Sequence, residues 1–315
     1  MAYYGAGLQG IQPEYETYKL KIQAISNVMI DDSSIFTESV LKEIDGDPTQ
    51  ILSSFSSITY QKGMGVINTL ANVMGIEDFL GGIRQYLDDY AFSNADSEQL
   101  GVILDAVEGS EEVSSIMSTY IEEEGLPLLY VNVVVNEDNP NTYDWTLRQQ
   151  RFVKLGPAFY EKSDTLPDII TDEMVDAAAA QLWQLPINAT NKDGTVVPLG
   201  IPNGVLSEET FGPVTYGSTD TQYVLFNPID PAGNEDGVAI GLFNYFRVFY
   251  DDMSLGMIVD NFADLSAPNQ FSIISDRFAL MQGSYIEPSD YLDFVQNVAD
   301  KILGSYTKGQ SFPDY

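Results

Sequence analysis

The stretch SSITYQKGMGVINTL, residues 56–70, begins the clearest helical pattern in this sequence. It places a tyrosine, a lysine and two glycines ahead of an apolar run that continues to Gly75. The apolar residues recur at the spacing of one helical face, at Val66, Ile67, Leu70, Val73 and Met74. The pattern predicts a helix that ends at Gly75, and it raises the question whether Tyr60 packs against that helix or takes part in chemistry.

Helical spacing extends through the first 125 residues. Further apolar faces are predicted over residues 79–90, 100–107 and 113–121. Asp96 and Gln99 have the spacing of a capping box, in which each side chain binds a backbone amide at the start of a helix. We therefore expect the first part of the chain to be a set of packed helices.

From residue 126 the pattern changes to β-branched and aromatic runs separated by Asn, Asp, Gly and Pro. The runs are LLYVNVVV (128–135), TYDWTLRQQRFV (142–153), AAQLWQLPI (179–187), TQYVLFNP (221–228) and GVAIGLFNYFRVFY (237–250). Such runs predict an antiparallel β-sandwich. Helical spacing returns from Asp252, so we expect three domains: a helical domain over 1–125, a β-sandwich over 126–251 and a short helical domain over 252–315.

The composition is that of a folded but very acidic protein. Its 315 residues include 47 Asp and Glu against 14 Lys and Arg, which gives a net charge of −33. That charge disfavours nucleic acid and anionic membranes as partners, and it favours solubility, cations or basic partners. A solvated acidic surface is the simpler interpretation, and a specific cation-binding role is the alternative.

The sequence contains no cysteine and no histidine. Disulfides, thiol nucleophiles, Ser-His-Asp triads and histidine-based zinc sites are therefore excluded for this chain alone. No apolar run approaches the roughly 20 residues of a membrane-spanning helix. MAYYGAGLQG, the first ten residues, lacks the basic start and apolar core of a signal peptide.

Several local motifs, in order along most of the chain, resemble one enzyme family. ITYQKGMGVINTL (58–70) is similar to the I-[ST]-Y-x-K-G-[AS]-x-[VI]-[LI] segment of zinc aminopeptidases of the aminopeptidase N type, which are gluzincins. GIEDFLGGIRQYLDDYAFSNADSEQL (75–100) resembles the next helix pair of that family. IMSTYIEEEGLPLLYVNV (116–133) resembles its M-x-x-W-x-x-x-x-G-[FY]-P-[VL] passage, with Tyr120 in place of Trp. WTLRQQRF, WQLPI and NYFRVFYDD resemble three further motifs of the family.

The resemblance implies a domain order: the helical C-terminal part of a thermolysin-like catalytic domain, then a β-sandwich, then a truncated helical domain. In the family, an H-E-x-x-H motif and a second Glu hold zinc, and a G-[AGS]-M-E-N strand binds the substrate amine. MAYYGAGLQGIQPEY (1–15) resembles the passage that follows the second Glu. We therefore expect the zinc ligands, the general base and the amine anchor to lie outside this chain, which then holds no cofactor unless a complementary zinc-binding segment exists.

Tyr60 is the one residue here to which the resemblance assigns a catalytic role. The matching tyrosine of the family donates a hydrogen bond to the oxyanion of the tetrahedral intermediate. The alternative is that Tyr60 only packs at the start of a helix. Lys62 could lower the pKa of that phenol, although a solvated or packing lysine is the favoured interpretation.

Other polar residues receive simpler interpretations. Arg151 and Arg247 are expected to be structural, paired with buried acids or stacked on rings, and Trp145 and Trp183 to lie in a core. NPIDPAGNEDG (227–237) is rich in oxygen ligands but does not fit an EF-hand register, so a solvated loop is favoured over a calcium site. Asn188, in the sequon N-A-T, is a glycosylation candidate if the chain follows the secretory route that the resemblance implies.

Three functions are compatible with these patterns. The first is an aminopeptidase N-like binding, storage or structural module without a zinc site, acting as a homo-oligomer or with a complementary polypeptide. The second is the C-terminal piece of an active zinc aminopeptidase whose zinc-binding half lies upstream or on another chain. The third is an acidic cation-binding protein. None of the three predicts nucleic-acid binding or direct membrane insertion, and a small ligand stays compatible with the first.

Overall fold

The computed structural model describes residues 14–42, 55–107, 112–163, 166–167, 169–216, 223–229 and 244–307. Within these residues the chain is a mixed α and β protein with ten α-helices and three small sheets. The helices before the first strand are α1 Glu14–Asp32, α2 Gly63–Met74, α3 Ile76–Asp89, α4 Ser97–Asp105 and α5 Val113–Glu122.

The predicted apolar faces of this first part lie in α2 to α5, whereas the sequence predicts no bounds for α1. A π-helical turn, Ile58–Lys62, leads directly into α2, and Gly75 with φ of +79° separates α2 from α3. The capping box before α4 is confirmed, because the Asp96 carboxylate accepts from the Gln99 amide and the Gln99 side chain accepts from the Asp96 amide, each at 3.0 Å.

The largest sheet has four strands. Its members are β1 Pro127–Val135, β2 Tyr143–Arg151, β6 Thr210–Tyr216 and β8 Arg247–Tyr250, in the spatial order β6-β2-β1-β8. β1 and β2 form an antiparallel hairpin in which Val133 lies opposite Trp145. Alternate residues of β2 point inward, so Trp145 is buried in the core.

The expectation of a wholly antiparallel sandwich is wrong at one edge of this sheet. β8 pairs with β1 in parallel, from Leu128 opposite Arg247 to Val131 opposite Tyr250. A parallel pair requires a long connection, and about a hundred residues separate these two strands in the chain. The two remaining sheets are two-stranded antiparallel pairs, β3 Leu185–Pro186 with β5 Val205–Leu206, and β4 Ala189–Asn191 with β7 Val224–Phe226.

Two short helices interrupt the strand region, α6 Pro157–Tyr160 and α7 Asp172–Ala180. α7 takes the first two residues of the predicted run AAQLWQLPI, of which only Leu185 and Pro186 are in a strand. Alanine has the strongest helix preference, and the Thr171 hydroxyl caps α7 by accepting from the Met174 amide at 3.3 Å.

Three helices follow β8: α8 Asp252–Asp260, α9 Ala267–Gln282 and α10 Pro288–Thr307. They confirm the helical spacing predicted after Asp252. One hydrophobic cluster contains residues from the helices before the sheets, from the strand region and from the helices after β8, including Leu70, Trp183, Ile258 and Leu280. A division into separate domains stays a prediction. In the part of the chain that the structure describes, no helix is long and apolar enough to cross a membrane.

Candidate functional site

Tyr60 lies on the outer side of the π-helical turn Ile58–Lys62. Ile58 and Lys62, at the ends of the turn, are buried, whereas the Tyr60 side chain is 61% exposed. Its ring stacks on that of Phe55, with the ring centroids 6.2 Å apart and the planes 22° apart. The turn therefore presents the phenol at the surface, and its catalytic role stays a prediction.

Lys62 is buried, so of the two expected interpretations, a solvated or a packing lysine, the structure shows the packing one. Its ammonium donates to the backbone carbonyls of Glu123 at 2.9 Å and Gly125 at 2.8 Å, where α5 leads into β1. It also lies 3.2 Å from Oδ2 of Asp32, and both side chains are fully buried. Lys62 therefore anchors the π-helical turn to two other parts of the chain and does not point toward Tyr60's solvent-exposed face.

Asp32, the last residue of α1, is the centre of this buried cluster. Its Oδ1 accepts from the Thr37 hydroxyl at 2.9 Å and from the Gly125 amide at 3.2 Å. Its Oδ2 accepts from the Tyr245 hydroxyl at 3.1 Å. Sequence reasoning missed Asp32, because nothing in the local pattern MIDDSS distinguishes a buried carboxylate from a solvated one.

Burial controls the protonation of the cluster. Burial lowers the pKa of the Lys62 ammonium from its ordinary value, and the adjacent Asp32 carboxylate opposes that shift. Burial also raises the pKa of the Tyr245 phenol well above its ordinary value, and Asp32 adds to the rise. Tyr245 therefore stays protonated and donates to Asp32, which contacts both this phenol and Lys62 in the interior.

Close packing joins the cluster to α2. The Tyr245 amide donates to the Thr69 hydroxyl at 3.0 Å, and that hydroxyl donates to the Gly65 carbonyl at 3.0 Å. A Cβ atom on Gly65 would lie 2.5 Å from Cδ2 of Tyr245. Gly65, in the K-G-M-G sequence after Tyr60, is therefore required for the close approach of Tyr245.

The arginines and tryptophans have structural surroundings, as expected, although Arg151 contacts an amide, a carbonyl and the exposed Glu124 rather than a buried acid. Arg247 is buried and pairs with Asp276 at 3.0 Å, and the same carboxylate accepts from the Val248 amide at 3.1 Å. Burial raises the pKa of Asp276, and the Arg247 guanidinium opposes the rise. Arg151 donates to the Gln181 side chain at 3.2 Å and to the Ser34 carbonyl at 3.3 Å. Trp145 and Trp183 are buried in the main hydrophobic cluster.

The glycosylation candidate lies at the surface. Asn188 is exposed and immediately precedes β4, and its carbonyl accepts from the Asn227 amide at 2.8 Å. The oxygen-rich loop NPIDPAGNEDG lies outside the described residues from position 230 onward. Modification of Asn188 and the solvated character of that loop stay predictions.

The described residues do not fit the zinc site of the resembled family. Zinc takes imidazole, thiolate or carboxylate ligands, and the chain has neither histidine nor cysteine. Among the described residues, no three Asp or Glu side chains are grouped so that they could hold a metal. The one fully buried carboxylate of the cluster, Asp32, is already engaged by Lys62 and Tyr245.

Comparison with known proteins supports the family resemblance. Residues 3–120 match the model of the Peptidase family M1 domain. The chain is 23% identical over 272 residues to the Tricorn protease-interacting factor F2 of Thermoplasma acidophilum, a match that covers 82% of this chain and 28% of that protein. It is 22% identical over 276 residues to the glutamyl aminopeptidase of Homo sapiens, covering 85% of this chain and 24% of the relative.

A similar match is found with the alanine/arginine aminopeptidase of Saccharomyces cerevisiae, at 22% identity over 287 residues, 91% of this chain and 28% of the relative. The predicted resemblance is thus confirmed: this chain is related to aminopeptidases of peptidase family M1. It spans about a quarter of the length of the curated relatives it matches, 28%, 25% and 23% for three of them.

Proposed function

We propose that this chain is a zinc-free relative of the M1 aminopeptidases and does not hydrolyse peptides by itself. It serves instead as a binding or structural module, in an oligomer or with a complementary polypeptide. One observation carries the proposal: none of the 315 residues is a histidine or a cysteine. The chain therefore cannot supply the imidazole ligands on which the family's H-E-x-x-H zinc site depends.

Tyr60 does not compensate for that loss. A phenol can stabilise a developing oxyanion by donating a hydrogen bond, but it cannot activate a water molecule in place of a metal. Lys62, the nearest basic residue in the sequence, is engaged by Asp32 and two backbone carbonyls. The turn that carries Tyr60 is therefore well anchored, yet it lacks the groups that would complete a hydrolytic site.

Zinc content and aminopeptidase activity test the proposal directly. The purified chain is dialysed against zinc, and bound metal is measured by plasma mass spectrometry while hydrolysis of alanyl, leucyl and glutamyl fluorogenic amides is followed. We expect no stoichiometric zinc and no hydrolysis above that of the Tyr60→Phe variant. One zinc per chain, together with hydrolysis that Tyr60→Phe abolishes, would refute the proposal.

A second candidate function rests on the exposure of Tyr60. Since its side chain is 61% exposed on an anchored turn, the phenol is available to a polypeptide that brings its own zinc site. In that case the chain is the C-terminal piece of an active zinc aminopeptidase. Intact-mass measurement of native material, with a search for a co-purifying H-E-x-x-H polypeptide, distinguishes this function from the first, since a native species of this chain alone contradicts it.

A further inference from the structure

The connection between α3 and α4, residues 90–96, exposes one aromatic side chain completely. Phe92 has its whole side chain in solvent, and its backbone has a φ of +62°. A positive φ is uncommon for a bulky residue, and an exposed phenyl ring gains nothing from burial. Both unfavourable features fall on the same residue, which marks the connection as a functional surface.

Exposed apolar side chains flank this connection on both helices. Leu87, near the end of α3, is 62% exposed, and Val102, in α4, is 64% exposed. The connection itself is fixed rather than loose, since the Ser93 amide donates to the Tyr90 carbonyl at 3.0 Å and the capping box at Asp96 fixes its end.

A groove of about 670 Å³ begins at Asp96 and runs between α4 and α5. Three residues lie between Phe92 and Asp96 in the chain, so their Cα atoms are at most about 14 Å apart. Apolar side chains line part of the groove, at Leu41, Val102, Met117 and Ile121. The volume is within the range of sites that bury several side chains or a small ligand.

The charged residues that line this groove are all acidic. They are Asp96, Glu98 and Glu122, and all three are exposed. A partly apolar groove with an acidic rim complements an amphipathic helix whose apolar stripe is bordered by Lys or Arg. The charge and the shape of the groove therefore point to the same kind of occupant.

We propose that residues 90–96 and the α4–α5 groove together form a docking face for a basic amphipathic helix of a partner protein. Phe92, Leu87 and Val102 provide the apolar contact, and Glu98 and Glu122 pair with the basic edge of the helix. The proposal specifies the partner class of the proposed binding module, but it does not depend on the absence of catalysis, because aminopeptidase activity would leave this face unchanged.

Charge excludes two other occupants. A second copy of the chain brings 47 acidic and 14 basic residues, and Lys62, Arg151 and Arg247 are buried. Residues 43–54, which follow closely after the groove residue Leu41 in the chain, contain three acidic residues and no basic one. Neither occupant complements an acidic rim.

Peptide binding tests the docking face. The probe is a fluorescein-labelled helical peptide of Leu and Lys, about fifteen residues long so that it can form a helix. Binding to the full chain is measured by fluorescence anisotropy. We expect the double variants Phe92→Ser with Val102→Ser, and Glu98→Gln with Glu122→Gln, each to weaken binding about tenfold.

Matched variants control for general stickiness and for the charge of the whole chain. Leu292→Ser with Leu303→Ser removes two leucines that are 65% and 62% exposed on α10, and Glu208→Gln with Glu209→Gln removes two exposed charges elsewhere. We expect both controls to change binding by less than about twofold.

Three results would overturn the proposal. The first is equal weakening by the controls, and the second is equally tight binding of a Ser–Lys peptide that has the same charge and no apolar stripe. The third is a dimer, seen by sedimentation, that only Phe92→Ser with Val102→Ser dissociates, because the face would then be a contact between copies. The aminopeptidase assay is independent of all three, so failure here is distinguishable from failure of the proposed function.

Discussion

The Lys62 side chain ends in a position that water does not reach, and partners from two other parts of the chain bind it there. The Asp32 carboxylate neutralises the charge at 3.2 Å, and the carbonyls of Glu123 and Gly125 accept the remaining hydrogen bonds. Removing one partner of such a buried pair strongly destabilises the folded protein, because the other partner is left as an uncompensated charge. Lys62 and Asp32 therefore depend on each other.

We predict that Lys62→Met lowers the free energy of unfolding by about 3 to 5 kcal/mol, because it leaves Asp32 charged and unpaired in the interior. Urea unfolding followed by circular dichroism at neutral pH measures the change. The matched control is Lys301→Met, which breaks the pair with Asp260 at 2.7 Å between partly exposed side chains. That loss should be about 0 to 1 kcal/mol, so equal losses in the two variants would contradict the buried-pair interpretation.

The same variant gives a pH prediction. The pKa of Lys62 is lowered in the folded chain from an ordinary value of 10.5, chiefly by burial. At a pH between the folded and the unfolded pKa of Lys62, the unfolded chain binds more protons than the folded chain. The contribution of Lys62 to the free energy of unfolding therefore rises with pH and is complete only above 10.5.

The stability advantage of the native chain over Lys62→Met should therefore widen as pH rises from neutral toward 10.5. Urea unfolding of both proteins across that window measures it. Both proteins contain the same tyrosines, so the effect of tyrosine titration on the free energy of unfolding cancels when one protein is subtracted from the other. If the stability difference between the two proteins narrowed with rising pH, Asp32 would raise the pKa of Lys62 by more than burial lowers it.

At the scale of elements, strong periodicity and side-chain caps made most helices predictable. α2 to α5 were predicted from their apolar faces and from the Asp96 capping box, and β1 and β2 from their β-branched and aromatic runs. The direction of β8 was not predictable, because it depends on the path of about a hundred intervening residues and not on the strand's own sequence. α7 was missed because alanines were included in a strand-like run.

The candidate site also has one feature that the sequence predicts and one that it does not. The position of Tyr60 at the entrance to a helix follows from local sequence, and its exposure follows from the π-helical turn. The cluster of Asp32, Lys62 and Tyr245 joins residues up to 213 positions apart. No local pattern predicts such a contact, and only the packed structure shows it.

Two glycines test how closely α2 must approach Tyr245. Gly65→Ala would place a Cβ atom 2.5 Å from the Tyr245 ring, and Gly81→Ala in α3 would meet no atom within 4 Å. We predict that Gly65→Ala lowers the free energy of unfolding by about 1 to 3 kcal/mol through overpacking. Gly81→Ala should raise it by about 0.5 to 1 kcal/mol, because alanine prefers the helix.

Thermal and urea unfolding of the two variants measures these changes. The pair is matched in chemistry, since each adds one methyl group to a helical glycine, so only the surroundings differ. If Gly65→Ala were neutral or stabilising, Tyr245 would have room to move and the cluster would not depend on close packing. Loss of stability in Gly81→Ala would instead indicate a partner on the exposed face of α3.

At the scale of the whole molecule, a net charge of −33 makes the folded chain repel itself. Salt reduces that repulsion, because the screening length falls from about 10 Å at 0.1 M to about 3 Å at 1 M. At most ten of the 14 basic residues can oppose it at the surface, since Lys62, Arg151, Arg247 and Arg277 are buried within the fold. The charge is therefore a cost to stability that solution conditions control.

We predict that the melting temperature rises as sodium chloride is increased from about 0.02 M to about 0.5 M, through screening alone. Scanning calorimetry in sodium, choline and calcium chlorides at equal ionic strength separates screening from binding. Coincident curves are expected, because screening depends on ionic strength and not on the identity of the cation.

A specific cation site would raise the melting temperature further in calcium, by mass action on the native state. A calcium curve above the other two would therefore favour the cation-binding function over a solvated acidic surface, and a melting temperature that falls with salt would show that attractive ion pairs outweigh the net repulsion.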